Sequence, residues 1–233
     1  MIENKCYFCG KEATSREHVP PQCLFPQKEK SELRDLKRNL ITVPSCDVHN
    51  SNKSHDDEYL KFILTTNIRR NSHSINQFNG KVLRGINRDP KKYATFLLHP
   101  KRVLIYDPKN RKTYSSLSYK IDTNRMQKII ELISYGLYYH DYKDIFFGSM
   151  EVILNGAIFG GDRSANLNNE LFKLEAKMNS YFNSIIDKGE NPEIFKYSFL
   201  ELSNSDYLLR IVFYETFTII VLLNSKLESS HSV

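Results

Sequence analysis

The sequence predicts an α+β fold: a small N-terminal unit stapled by a metal ion, then an α+β region with antiparallel strands and two long helices. Three observations carry this expectation. Residues 1–56 are rich in Cys, His, Pro and Asn and lack helical periodicity, yet they hold two Cys/His pairs at metal-ligand spacing. Further along, segments repeat apolar residues at the helical period. Runs of strand length, bounded by turn residues, lie between and after these helices without alternating regularly with them, which argues against a doubly wound sheet.

The first pair lies in "CYFCG", where Cys6 and Cys9 are followed by Gly10, a residue that permits a tight turn. The second lies in "CDVHN", with Cys46 and His49 at matching spacing. Together they make a closed Cys3His set, saturated for zinc and therefore structural. Cys23 reads as a small buried apolar residue, and as the substitute ligand if His49 is not the fourth. Between the pairs, "REHVPP" sets Glu17 beside His18 and stiffens the backbone behind them with Pro20 and Pro21.

The remaining elements follow in order. Residues 56–70 read as a helix with Tyr59, Phe62, Ile63 and Ile68 on one face, acids at its start and Arg69 and Arg70 at its end. Residues 73–92 are polar and rich in breakers, and read as a connector. Residues 102–122 read as two strands joined at Asp107–Pro108–Lys109–Asn110. A helix capped by Asp122 or Thr123 carries Met126, Ile129, Ile130, Ile133 and Leu137. Residues 149–161 read as a strand. Residues 166–187 read as a second long helix, its stripe formed by Leu167, Leu171, Leu174, Met178, Tyr181 and Ile185. Strands at 195–202 and 207–223 are expected to pair, the latter folding at Glu215–Thr216. The expected division is a metal-binding unit over 1–72, a basic connector with the first strands over 73–114, and an accessory α+β domain over 115–233.

A chain of 233 residues with 40% hydrophobic content is long enough to bury a core. No apolar run approaches the roughly 18 residues of a membrane span, and the start has no signal-peptide apolar segment. The expectation is a cytoplasmic protein with no membrane partner, whose reduced thiols favour metal binding over disulfides. Charge is unevenly distributed. Residues 61–114 hold thirteen Lys/Arg against two Asp/Glu, whereas residues 1–60 hold nine against ten and residues 115–233 eleven against fifteen. A block of that sign suits a polyanion, with nucleic acid the first candidate. Arg69, Arg70, Lys81, Arg84, Arg88, Lys91, Lys92, Lys101 and Arg102 are the candidate phosphate contacts.

The segments "CYFCG", "EHVPP", "RNLITVPSC" and "CDVHN", in that order over residues 1 to about 60, resemble the HNH endonuclease family. The resemblance implies a ββα unit clasped by zinc, with its helix beginning near Asn50. It implies that His18 is the general base, that Asn39 orients it, and that Glu17 and Asn50 hold a catalytic Mg2+ or Mn2+ ion. Lys53 matches a lysine common three residues after the last position. Two departures stand out: Glu17 lies where Asp is commoner, and His49 where a fourth cysteine is usual. The chemistry is coherent by itself, since an imidazole titrates near neutral pH and can take a proton from water, and oxygen donors suit a hard divalent ion. His55 and Asp57 are additional candidates to complete the ion's shell or grip a phosphate, against a plainer role as first-turn residues of a helix.

The function implied is a metal-dependent endonuclease acting on DNA, with RNA also open, and leaving a 5′ phosphate. Two alternatives remain: a non-catalytic zinc module that binds nucleic acid, and a nuclease effector subunit docked to a larger regulatory protein in a bacterial defence or toxin complex.

Overall fold

The structure, a computed structural model, describes residues 4–28, 34–50, 53–67, 71–107, 110–154 and 164–225. It is an α+β architecture of helices and antiparallel sheets.

Near the N-terminus, β1 (Ser15–His18) pairs antiparallel with β2 (Thr42–Ser45), setting Glu17 opposite Val43 and His18 opposite Thr42. β2 leads into the one-turn helix α1 (Asp47–Asn50) and then α2 (Ser54–Thr66). The stripe read for this helix is buried through Tyr59, Phe62 and Ile63, joined by Leu60 and Leu64. Ile68, Arg69 and Arg70 lie outside the described residues.

The expected connector over 73–92 is instead helical: α3 (Ser72–Gln77), a π-wound turn at Phe78–Val82, α4 (Leu83–Arg88) and α5 (Pro90–Ala94). Capping explains how so polar a stretch holds this shape. The Asn71 carboxamide accepts from Ser74 N at 3.0 Å, and Asp89 accepts from Lys92 N at 3.1 Å with Pro90 in the first helical position. Gly85 lets the Tyr93 ring press against α4, for an added Cβ would lie 2.2 Å from its hydroxyl oxygen.

Strands β3 (Leu98–Asp107) and β4 (Lys112–Lys120) form a two-stranded antiparallel ribbon. Of the expected turn, Pro108 and Lys109 lie outside the described residues. Helix α6 (Thr123–Tyr142) starts as expected, with Asp122 accepting from Arg125 N at 3.0 Å, and buries its whole predicted stripe.

The C-terminal part forms a five-stranded sheet. Its strands are β5 (Ser149–Leu154), β6 (Lys188–Asn191), β7 (Phe195–Glu201), β8 (Tyr207–Phe213) and β9 (Phe217–Asn224), in the order β5-β9-β8-β7-β6 and antiparallel throughout. Residues 155–161 of the strand expected over 149–161 lie outside the described residues. β8 and β9 read as nearly continuous apolar runs because both faces are covered. Tyr207, Leu209, Ile211 and Phe213 join the main core, while Leu208 and Ile220 pack on the opposite face against Phe182. The two strands join through Tyr214 and Glu215, both with positive φ (48° and 63°), and the Tyr214 hydroxyl donates to Leu24 O at 2.7 Å.

Helix α7 (Ser164–Ser180) departs from its predicted stripe. Leu167, Leu174 and Tyr181 are exposed and Glu175 is buried; of the predicted stripe, Met178 and Ile185 pack beside Phe182 against the sheet. One buried cluster runs from Cys6 and Tyr7 through α2 and α6 to Leu223, drawing on all three expected segments.

Candidate functional site

The two Cys/His pairs meet. Gly10, at φ +70°, turns the chain after Cys9, and α1 carries His49 one turn beyond Cys46. The ligand atoms of Cys6, Cys9, Cys46 and His49 all lie within 4.8 Å of one another. Cys9 Sγ is 3.8 Å from Cys46 Sγ, and His49 Nδ1 is 3.7 Å from Cys6 Sγ and 3.1 Å from Cys46 Sγ. A tetrahedral zinc with Zn–S bonds of about 2.3 Å has edges of about 3.8 Å between sulfurs, so the donor set fits that ion. Burial raises the Cys6 thiol pKa, but backbone hydrogen bonds from Cys9, Cys46 and Phe8 outweigh it and hold the thiol below its ordinary value, favouring a thiolate. Cys23 lies outside the cluster: its Sγ is 3.5 Å from Asp57 O, and burial pushes its thiol up to about 11. That is the protonated, small apolar residue expected at this position.

Beside the cluster is a cleft of about 240 Å³, lined by residues that include Glu17 and His18 from β1, Asn50 from the end of α1, and Lys53 and Asp57 around the start of α2. These residues converge because β1 pairs with β2, and β2 runs directly into the helices. Asn50 Nδ2 donates to Ser15 Oγ at 2.8 Å, tying α1 back to β1. Glu17 and Lys53 form a short, largely buried ion pair through Oε1, and Lys53 Nζ also donates to Tyr7 Oη at 2.7 Å. Glu17 Oε2 is buried and, among the described residues, has no hydrogen-bond partner. Burial first, and then the Lys37 charge, depress the His18 pKa. Burial pushes the Asp57 carboxyl up to about 6, against the pull of Lys53 and with the help of Glu17.

Other expected residues lie elsewhere. Asn39 is exposed in a turn at φ +53°, a conformation Asn tolerates, and does not line the cleft. His55 faces Arg125 of α6, whose guanidinium lies 2.6 Å from His55 Nδ1 and pairs with Asp56. Lys92 is ion-paired with Glu58, whereas Arg84, Arg88, Lys91, Lys101 and Arg102 are exposed. Lys81 is half-buried, and its ammonium pKa is depressed by burial and then by Lys37 and Lys61.

Arg16, Lys37 and Lys61 escaped the sequence reading. Arg16 lines the cleft and is anchored to Thr42, while Lys37 acts on His18 and Lys61 on Asp57. Lys61 follows Asp57 by one helical turn, a spacing that could have flagged it; Lys37 carries no comparable signal. Among the described residues no helix is long and apolar enough to cross a membrane. Compared with known proteins, the chain matches no family profile, no curated protein and no solved structure at a significant level.

Proposed function

We propose that the chain is a metal-dependent endonuclease hydrolysing phosphodiester bonds of DNA, with Glu17, His18 and Asn50 at its active site and a structural zinc ion in the Cys3His cluster. One observation carries the reading: a carboxylate and a depressed-pKa imidazole from one strand share a cleft with an asparagine delivered by the Cys3His knuckle. A lowered pKa keeps the His18 ring neutral at pH 7 and able to accept a proton from water. The orphaned Glu17 Oε2 is an oxygen donor suited to a hard divalent ion, with Asn50 and Asp57 as further oxygen donors. Mg2+ or Mn2+ bound there would supply positive charge against the leaving oxygen. Arg16, Lys53 and the mutually repelling group of Lys37, Lys61 and Lys81 would hold the flanking phosphates, which relieves their own repulsion. The likeness to HNH endonucleases supports the same reading, since β1, β2 and the helices after them follow the ββα order that it implies.

The Lys53–Glu17 ion pair favours a second reading, a zinc module that binds nucleic acid without cutting it, because the carboxylate is already neutralised. Plasmid cleavage with Mg2+ or Mn2+ separates the two. His18→Ala is expected to lower the cleavage rate by about 10²–10⁴-fold; equal rates for the natural protein and the variant would remove His18 as the base.

A further inference from the structure

The β3–β4 ribbon has ten and nine residues in its strands and, at about 3.3 Å per residue, extends about 30 Å. Among the described residues its strands pair with each other and with no further strand. Near its base Tyr119 packs beside Phe62 and shares a 2.5 Å hydrogen bond with Thr66. Farther along, Leu104 is 76% exposed, Tyr106 60% and Leu117 46%. Register puts Arg102 and Leu117, Leu104 and Ser115, and Tyr106 and Thr113 together on one face; Lys101 and Ser118, and Val103 and Ser116, share the other. Across residues 98–120 the only acid is Asp107, against six Lys/Arg. Among the described residues none of Lys101, Arg102, Arg111, Lys112 and Lys120 is ion-paired.

A two-stranded ribbon is marginal alone in water, so its apolar faces call for a partner. Lysine and serine are depleted in protein–protein interfaces, yet this ribbon is dense in both, and its charge complements a polyanion. The major groove of B-form DNA, about 12 Å wide, admits a two-stranded ribbon. The deep, narrow major groove of A-form RNA does not, and a single strand has no groove.

We infer that the β3–β4 ribbon enters the major groove of B-form duplex DNA, its cations on the phosphates and its hydroxyls and apolar side chains against the base edges. This rests on the nuclease reading above and supplies the substrate class that reading leaves open.

The test uses full-length His18→Ala protein, which binds without cutting, and fluorescence anisotropy with a labelled DNA duplex, the same sequence as RNA duplex, and single-stranded DNA. DNA duplex is expected to bind at least about tenfold tighter than the other two. Adding Arg102→Ala and Lys112→Ala should weaken duplex binding about tenfold and make the salt dependence between about 50 and 200 mM shallower by roughly two phosphate contacts, at an unchanged melting temperature. Leu104→Ser with Tyr106→Ser should erase the preference for DNA duplex over RNA duplex. Unchanged binding in these variants overturns the inference, as does a ribbon whose substitutions alter only self-association in sedimentation. Plasmid cutting by the natural protein reports separately: cutting that survives unaltered in ribbon variants sinks the ribbon alone, whereas duplex binding through the ribbon without any cutting sinks the nuclease.

Discussion

Burial disfavours the charged forms of both His18 and Asp57, lowering one pKa and raising the other. For His18 the second cause is the Lys37 ammonium, so the acid limb of the cleavage profile should inflect below the ordinary histidine value of about 6.5. Lys37→Ala should move that inflection to higher pH, read from initial cleavage rates between pH 5 and 8; an unmoved profile would show that Lys37 does not act on the base. Asp57 makes a stability prediction of definite sign. Its pKa rises from an ordinary value near 3.9 to about 6 on folding, so the stabilising protonated form is fully present below about pH 4 and lost as pH rises through 6. In chelator, the melting-temperature advantage of Asp57→Asn over the natural protein should therefore grow from pH 4 to 6 and level off above. A constant gap would mean that Asp57 ionises as freely as in the unfolded chain. At this scale much of the cleft's lining could be read directly: Glu17, His18, Asn50, Lys53 and Asp57 share it. His55 and Asp57 looked equivalent as helix-start residues, and only tertiary packing separates them, turning His55 toward Arg125.

Among the elements, α6 touches both halves of the site. Tyr135 packs on Phe8, whose ring is 4.6 Å from that of His49, and the next residue, Gly136, receives Val19, the neighbour of His18. A Cβ at Gly136 would lie 2.6 Å from Val19 Cγ2 and displace the end of β1. Gly136→Ala should cost about 1–3 kcal/mol of stability by overpacking. It should also lower the cleavage rate at temperatures where the variant is fully folded, measured by denaturant unfolding and plasmid cleavage side by side. Periodicity revealed α2 and α6 because each buries an apolar stripe, in α2 through Tyr59, Phe62 and Ile63. It failed at 72–94, where side-chain caps and a few buried residues such as Val82 and Tyr93 suffice, and at α7, where the apolar stripe mostly faces solvent.

For the whole molecule, the continuity of the core matters most. Cys6 and Cys46 belong to the same buried cluster as Ile130, Leu209 and Phe217, so the Cys/His cluster is continuous with that core. Two clamps reinforce the union: Arg125 lies over the Tyr59 ring at 4.2 Å and pairs with Asp56, and Arg34 reaches Asn191 and Glu193 at the sheet edge. Metal analysis should find about one zinc per chain, as a four-coordinate structural site holds one ion. Its removal by chelator, or Cys46→Ser, should lower one cooperative transition by roughly 10 °C or more instead of producing a separate early one. A distinct low-temperature transition would show that the N-terminal unit melts independently. Long-range convergence of this kind left little trace in the sequence, where Cys/His spacing announced the cluster but nothing announced that Cys6 and Cys46 would share one buried core with strands of the C-terminal sheet.

The left-handed turn at Tyr214 makes one buried contact wait on synthesis. Its hydroxyl caps the Leu24 carbonyl just beyond the prolines that follow His18, across a separation of 190 residues. At about 5–20 residues per second of synthesis, that partner arrives about 10–40 s after Leu24 has been made. Within that interval the Leu24 carbonyl has the Gln77 carboxamide, whose Nε2 donates to it at 3.0 Å, and its second donor arrives only with the β8–β9 hairpin.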